Sequence, residues 1–286
     1  MSGQTMRGAV AGRIERTFAE LRVRGEAALI PFIVAGDPNL DTTRALVFEL
    51  EARGADLIEL GVPFSDPMAD GPANQRALAR GLNSGASLAA IIAMVSEIRR
   101  QSQIPIVLFG YYNPILHYGC ERLCADAARA GIDALLVVDL PPEEAAELAL
   151  PARAHGLDII YLLAPTTPLE RARTIARAGS GFLYYVAVTG VTGARASLAA
   201  GLEARVRAMR AVTRLPIGVG FGISTPEQAA EVAGYADAVV VGSALSLIIE
   251  REAASQRLPA AVGELVGAMK NAMRAARGQA RASAGG

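Results

Sequence analysis

The sequence predicts an α/β fold of the (β/α)8 barrel class. Eight short apolar runs recur along its 286 residues, each with the length and β-branched content of a strand buried on both faces. Helical patterns alternate with these runs, and no linker-like segment interrupts them. The first run continues into AGDPNLDTTR and carries no G-x-G-x-x-G turn, which disfavours a doubly wound open sheet. These observations together indicate a closed parallel barrel.

The elements follow one another in a regular order. The predicted strands are AALIPFIVAG from Ala27, ADLIELG from Ala55, IPIVLFG from Ile104, DALLVVDL from Asp133, DIIYLLAP from Asp158, GFLYYVAV from Gly181, LPIGVGFG from Leu215 and ADAVVVGS from Ala236. Several of the intervening helices are expected to end at a glycine C-cap, at Gly54, Gly131, Gly156 and Gly179. Another is expected to begin at Thr225, followed by Pro226 in its first turn.

An extra helix, GRIERTFAELRVRG, precedes the first strand and is predicted to close the bottom of the barrel. We therefore expect a single TIM-barrel domain over residues 1–286, with an ordered core over about 12–275. Residues 1–10 and 278–286 are expected to be flexible tails.

The composition excludes several classes of protein. The chain is 52% hydrophobic and 20% charged, with zero formal net charge, which argues against a broad electrostatic grip on nucleic acid or anionic membrane. No secretory h-region and no apolar run of about 18 residues is visible, so a cytoplasmic protein is expected. Cys120 and Cys124 lie four residues apart on a predicted helix and are expected to be reduced, buried side chains.

Residues that usually carry cofactor chemistry are scarce. The only lysine is Lys270, in the predicted helix GELVGAMKNAMRAARG, where a solvated charge is the simplest expectation. The only histidines are His117 and His155, and no cluster at ligand spacing indicates a transition-metal site. A Schiff-base enzyme needs a buried lysine in its site. The chemistry is therefore expected to depend on carboxylates, hydroxyls and backbone amides.

Glu59 ends the second predicted strand, where the active sites of such barrels lie. Leu57, Glu59 and Gly61 share one face of that strand, because side chains alternate. If that face is the interior, burial raises the pKa of Glu59 and allows it both to give and to take a proton. A structural glutamate paired with an arginine is an equally supported alternative.

The loop after this strand, GVPFSDPMADGPANQ, holds two more acids between its prolines. Proline fixes its own φ, so Asp66 and Asp70 are held in place. For Asp66, before Pro67, a turn or a partner contact is the better interpretation. For Asp70, before Gly71, a turn and a catalytic site are comparable interpretations.

Glycine clusters follow the last three predicted strands: TGVTGA, which contains Gly193, then GVGFGIS, which contains Gly222, and VVVGSA, which contains Gly242 and Ser243. Glycines allow backbone N–H groups to approach an anion, and Ser243 opens a helix whose N-terminus carries a positive dipole end. Barrels often bind phosphate in this quadrant, so a phosphate site is predicted there.

Aromatic residues end several strands. Of Tyr184 and Tyr185, one should face the interior and one the helices. An inward tyrosine is ordinary core, but near the top its hydroxyl would reach a substrate. Phe32, Tyr111 and Phe221 either wall an aromatic substrate or pack as plain core.

Six stretches resemble, in order and spacing, the tryptophan synthase alpha subunit family: PFIVAGDP, ADLIELGVPFSDPMADGPANQ, GYYNPI, GVTGA, GFGIS and VVGSA. The resemblance runs from about Phe18 to Met269, and ELGVPFSDPMADGP is its most specific part. It implies cleavage of indole-3-glycerol phosphate to indole and glyceraldehyde 3-phosphate, a retro-aldol reaction without a Schiff base.

The resemblance also implies roles. Glu59 matches the family's acid–base glutamate, Asp70 the aspartate that holds the indole N–H, and Tyr184 a tyrosine that assists near Glu59. The phosphate-binding positions are matched by Gly193, Gly222, Gly242 and Ser243, and the indole pocket by Phe32, Tyr111 and Phe221.

A beta subunit that carries pyridoxal phosphate and receives the indole is the implied partner, in an alpha2beta2 heterotetramer, and no cofactor is expected in this chain. Pro63, Asp66 and Asn113 lie on stretches similar to those that face it. Val188, in the loop after the sixth strand, departs from the polar or basic residue common in the family. Two alternatives stay open: another phosphate-binding barrel isomerase or lyase, and a catalytically weak barrel that activates a partner.

Overall fold

The computed structural model describes residues 11–187, 195–220 and 222–284, of which 195–200 and 280–284 are described by backbone alone. Eight parallel strands close into one barrel in chain order, with β8 hydrogen-bonded to β1. The strands are β1 Ala28–Val34, β2 Ile58–Gly61, β3 Ile106–Gly110, β4 Ala134–Val137, β5 Asp158–Leu163, β6 Leu183–Val186, β7 Ile217–Gly220 and β8 Ala238–Val241. The predicted (β/α)8 fold is confirmed, and each strand lies within a predicted apolar run.

Helices surround the barrel. In the described residues they are α1 Arg13–Arg24, α2 Leu40–Ala52, α3 Pro72–Asn83, α4 Leu88–Ile98, α5 Tyr112–Tyr118, α6 Cys120–Ala130, α7 Ala146–Ala154, α8 Leu169–Ala178, α9 Arg195–Arg210, α10 Pro226–Ala233, α11 Ser243–Glu252 and α12 Leu258–Ala284. The sequence patterns do not predict α3 and α5, because a proline-rich loop precedes α3 and α5 is only seven residues long. The last helix, α12, continues through Gly278 to Ala284.

Helix ends follow local sequence in most cases. Thr225 and Gln228 form the reciprocal pair of capping bonds at the start of α10. Gly54, Gly131 and Gly156 have φ of +96°, +86° and +74°, the left-handed region that glycine tolerates. Gly179 is different: its φ is −88° and it ends α8 in an extended conformation.

The barrel interior is filled by alternate strand residues and closed from below by α1. Ile14, Phe18 and Leu21 of α1 belong to the interior cluster, and the Phe18 ring lies 5.8 Å from that of Phe182, centroid to centroid. The predicted closing helix is therefore present. Its apolar face reduces the solvent contact of the lower end of the barrel.

Side chains also tie the strands together at this lower end. Asp56, just before β2, accepts the N–H of Leu29 in β1 at 2.7 Å and donates its own N–H to the Leu29 carbonyl at 2.9 Å. The same reciprocal pair of hydrogen bonds recurs before β4, β6 and β8, where one residue bonds to the first or second residue of the preceding strand. These pairs are Asp133 with Ile106, Ser180 with Ile159, and Asp237 with Ile217.

Lys270 is not solvated, contrary to the expectation from its place in a polar helix. Its side chain is 1% exposed, and its ammonium donates to Asp56 at 2.7 Å and to the Ala27 carbonyl at 3.2 Å. Glu26 lies 3.3 Å away. The amphipathic pattern of α12 does not reveal this, because the partners are at the start of β1 and β2.

Cys120 and Cys124 are both free and buried, as expected. Within the described ranges, no single helix is long and apolar enough to cross a membrane, although α3 and α4, bent by 92°, pass that test as a pair.

Candidate active site

Glu59 is the second of the four residues of β2, on the inward face that it shares with Leu57, and it pairs with Phe32 of β1 and Val107 of β3. Its side chain is fully buried, and neither carboxylate oxygen has a hydrogen-bond partner among the described residues. Burial raises its pKa to about 8 because the low-dielectric interior disfavours the charged form. The alternative of a structural glutamate paired with an arginine is wrong, and a protonated acid at neutral pH is the result.

Asp70 lies at the end of the β2–α3 loop and is held by neutral groups. The Tyr111 hydroxyl donates to Asp70 Oδ2 at 2.6 Å and accepts the N–H of Ala69 at 3.0 Å. The Asn74 amide faces Asp70 Oδ1 at 3.5 Å. Burial raises the pKa of Asp70, while the bonds from Tyr111 and Asn74 oppose that rise. Tyr111 therefore contacts the loop acid directly, a role that strand-end position alone did not indicate.

Tyr184 points into the barrel and Tyr185 points towards the helices. The Tyr184 hydroxyl fills the space above Gly220, where a Cβ would lie 2.0 Å from that oxygen. Burial, followed by the Glu59 and Asp70 carboxyls, raises the pKa of Tyr184 well above its ordinary value. Three sequence-predicted residues from β2, the following loop and β6 are thus brought to one site.

Phe32 separates this acid cluster from the glycine-rich quadrant. Its ring packs edge-on against Phe109, with centroids 5.0 Å apart. A Cβ on Gly61 would lie 2.7 Å from the ring, and one on Gly242 would lie 3.1 Å from it. Glycine at both positions therefore leaves space for the Phe32 ring inside the barrel.

The start of α11 provides backbone donors that the helix itself does not use. Gly242 is the N-cap, and its carbonyl accepts the N–H groups of Leu245 at 2.8 Å and Ser246 at 3.1 Å. The N–H groups of Ser243 and Ala244 come earlier and have no acceptor within a helix. Together with the positive end of the helix dipole, they form the kind of site that binds phosphate.

The other predicted phosphate and pocket positions are only partly described. Gly222 has φ of +75°, which favours glycine and turns the backbone after β7. Gly193, Phe221 and Val188 lie outside the described residues.

The residues predicted to face a partner differ in exposure. Asp66 and Asn113 are exposed, and Asp66 accepts a bond from its neighbour Ser65. Pro63 is buried, and a Cβ on Gly81 would lie 2.8 Å from its ring. The apolar side chains of Met68 and Leu116, on the same two segments as Asp66 and Asn113, are 92% and 47% exposed. Sequence reasoning missed both, although each lies beside a predicted partner residue.

Further polar residues that the sequence patterns did not single out join α3 to its surroundings. Arg80 of α3 donates through both arms of its guanidinium to Asp37, after β1, with both distances 2.8 Å. The Ser246 hydroxyl of α11 donates to Asn74 at 2.9 Å. The only sequence feature that could have indicated these contacts was the acid Asp37, directly after a predicted strand. Elsewhere in the described part of the chain, no group of three or more His, Cys, Asp or Glu could hold a metal ion.

Comparison with known proteins decides the family. The family model for the tryptophan synthase alpha chain matches residues 18–274. The chain belongs to the tryptophan synthase alpha chain family. The alpha chain of Citrifermentans bemidjiense is 58% identical over 258 residues, which cover 90% of this chain and 96% of that relative. The alpha chain of Geobacter sulfurreducens is 53% identical over 261 residues, with 91% and 98% covered.

Solved alpha-chain structures share the barrel. The tryptophan synthase subunit alpha of Legionella pneumophila superposes with a TM-score of 0.86 at 41% identity, covering 92% of this chain and 99% of that one. A chain of Mycobacterium tuberculosis tryptophan synthase gives 0.83 at 35% identity, with 93% and 99% covered. The expected resemblance is confirmed over nearly the whole length.

Proposed function

We propose that this chain cleaves indole-3-glycerol phosphate to indole and glyceraldehyde 3-phosphate, as the alpha subunit of a tryptophan synthase. The observation that carries the proposal is the fully buried carboxyl of Glu59, which has no hydrogen-bond partner among the described residues and a pKa of about 8. A carboxylic acid that is protonated at neutral pH can donate a proton to carbon and then recover one. Family membership supplies the substrate on which it acts.

Glu59 begins the reaction as the acid and gives its proton to C3 of the indole ring. The indolenine that forms carries positive charge at its ring N–H, which Asp70 accepts and stabilises electrostatically. The Glu59 carboxylate then takes the proton of the C3′ hydroxyl. As that oxygen becomes a carbonyl, the C3–C3′ bond breaks and its electrons restore the indole. Glu59 ends protonated as it began, so the atoms and charges balance.

Tyr184 and Phe32 position the substrate in this mechanism. Tyr184 points inward, and the Glu59 and Asp70 carboxyls both add to the rise that burial causes in its pKa, so it interacts electrostatically with both acids. Phe32 lines the space between Glu59 and the start of α11. The substrate phosphate binds the free N–H groups of Ser243 and Ala244 at that helix, together with the Gly222 backbone. Gly193 and Phe221 complete the phosphate site and the indole pocket in the same proposal.

The reaction as proposed uses no cofactor in this chain. Lys270, the only lysine, is bonded to Asp56 at the opposite end of the barrel, so it is not available to form a Schiff base with a substrate at Glu59. Pyridoxal phosphate belongs to the beta subunit, which receives the indole within a cytoplasmic alpha2beta2 assembly. Asp66, Asn113, Met68 and Leu116 present the exposed surface for that subunit, and Pro63 supports the loop from below.

The test is release of indole from indole-3-glycerol phosphate, with and without a purified tryptophan synthase beta subunit. We expect slow release by the chain alone and faster release with the partner, because partner binding closes loops over such sites. An enzyme that turns over a related sugar phosphate but never releases indole would contradict the proposal. A rate that is indifferent to the beta subunit would contradict the partnership alone.

A further inference from the structure

We propose that Asn74 is a positioning residue that is fixed by Ser246 and holds Asp70 for the reaction. This inference rests on the proposed function, since it assigns Asp70 a role in catalysis. Asn74 is buried in the first turn of α3, four residues after Asp70. Among the described residues, it is the only asparagine that is hydrogen-bonded to a proposed catalytic acid.

The Asn74 amide has one orientation that satisfies both neighbours. The Asp70 carboxylate can only accept, so it must face the amide nitrogen, 3.5 Å from Oδ1. The amide oxygen then faces Ser246, whose hydroxyl donates to it at 2.9 Å. The flipped amide would place two oxygens against each other. The carboxylate thus selects the amide orientation, and the bond from Ser246 to the amide oxygen holds the Asn74 side chain in place.

Asp70 is held from two sides as a result. The Tyr111 hydroxyl occupies Oδ2 at 2.6 Å, and Asn74 faces Oδ1 at the longer distance. Hydrogen bonds to catalytic groups are often long without substrate and shorten in the reactive complex. The long Asn74 contact leaves room at Oδ1 for an incoming ring N–H while still restricting rotation of the carboxylate.

The support for Asn74 extends into the helix that binds phosphate. Ser246 lies on α11, three residues after Ser243 at the proposed phosphate site. Arg80 and Arg76 of α3 both bind Glu250 of α11, at 3.1 Å and 2.7 Å, so the two helices are also joined farther along. The amide that faces Asp70 is therefore anchored to the helix whose N-terminus is the proposed phosphate site.

The groups facing Asp70 are Tyr111 and Asn74 by contact and Tyr184 through space. All three are uncharged at neutral pH, so the amide donor is one of few groups that favour the ionised carboxylate. Its removal raises the pKa of Asp70, in the direction opposite to the contribution that Asn74 now makes.

The experiment compares Asn74→Leu and Ser246→Ala with the same leucine substitution at exposed Asn83, also on α3. The Asp70 carboxyl is followed by 13C NMR in aspartate-labelled protein, with Asp70→Asn to assign its signal. In the same samples, kcat/KM for indole release is measured against pH with the beta subunit present.

For Asn74→Leu we expect the Asp70 titration and the acid limb of kcat/KM to move to higher pH. We expect kcat/KM at its optimum to fall about tenfold, the scale of one hydrogen bond to a charged group. Ser246→Ala should act in the same direction and more weakly, and it serves if Asn74→Leu does not fold. Asn83→Leu should change neither readout.

An Asp70 titration that is identical in the parent, Asn74→Leu and Ser246→Ala overturns the inference. The inference also fails if Asn74→Leu lowers kcat/KM as much in a protein that already carries Asp70→Asn as it does in the parent. The two proposals fail separately. A parent that releases no indole refutes the proposed function, while a shifted Asp70 titration in that same protein still supports the contact.

Discussion

Asp56, two residues before β2, and Glu59, within that strand, have opposite surroundings. Asp56, at the lower end, accepts the Lys270 ammonium and the Leu29 N–H, both at 2.7 Å. Glu59, three residues farther along and inside the barrel, is buried with no hydrogen-bond partner in the described structure. Burial raises the pKa of both, but only at Asp56 do a cation and a backbone donor oppose the rise.

The same contrast extends around the barrel. At the lower end Asp133 binds Arg13 at 3.0 Å and Arg99 at 2.9 Å, and Asp237 binds Arg210 at 2.9 Å. At the upper end the side-chain partners of Asp70 in the described part of the chain, Tyr111 and Asn74, are neutral. Asp37, which follows β1 at the upper end, is an exception, because Arg80 pairs with its charge and joins it to α3. Acids paired with a cation thus support the scaffold, whereas Glu59 and Asp70, with no cation bonded to them in the described structure, have the raised pKa values typical of acid–base groups.

The largest expected effect is on catalysis at Glu59. Glu59→Gln keeps the size of the side chain and removes its proton transfer, so kcat for indole release should fall at least about 10²-fold. Asp66→Asn, at the exposed acid of the adjoining loop, is the control and should leave kcat of the isolated chain within about twofold, as expected for a surface site. Turnover that survives in purified, folded Glu59→Gln would remove this residue from the mechanism.

The next effect is on stability at the lower end. Lys270→Met leaves the Asp56 charge in a buried position without its cation, so the free energy of unfolding should fall by about 3 kcal/mol. Urea denaturation measures this. The double variant Asp56→Asn/Lys270→Met keeps an acceptor for the Leu29 N–H and should recover most of the loss. If Lys270→Met instead lowered kcat of the folded protein with no change in stability, the division between the two ends would be mistaken.

The third effect is a pH dependence of stability, and its size per pH unit is the smallest of the three. Glu59 has a pKa of about 8 when folded and an ordinary value of 4.5 when unfolded. Between these values the folded state retains a proton that the unfolded state has lost, so this glutamate makes the protein less stable as pH rises from about 4.5 to 8. The slope is at most about 1.4 kcal/mol per pH unit for one proton.

Glu59→Gln should remove that slope and be more stable than the parent by a margin that grows with pH up to about 8, where the folded glutamate ionises. Denaturant midpoints at a series of pH values for the two proteins test it. Parallel curves would mean that Glu59 titrates normally and is solvated.

Much of the architecture was predictable because its signals are local. Burial on both faces makes each strand an apolar run, and Thr225 with Pro226 marks a helix start within one turn. Alternation along β2 likewise placed Glu59 in the interior once the barrel was assumed. The α3 and α5 helices were missed, since prolines and a short length hide their periodicity.

The order of strands and helices follows from residues near one another in the chain, and so does the place of Glu59 in a predicted strand. The scarcity of lysine follows from composition alone. Whether an acid is paired depends on residues far apart in it. Lys270 meets Asp56 across 214 positions, and Ser246 meets Asn74 across 172. Closure of the barrel brings such residues together, and no local periodicity records which side chains then meet. The same closure buries Glu59 in an apolar interior, where burial raises its pKa and no hydrogen-bond partner among the described residues opposes the rise.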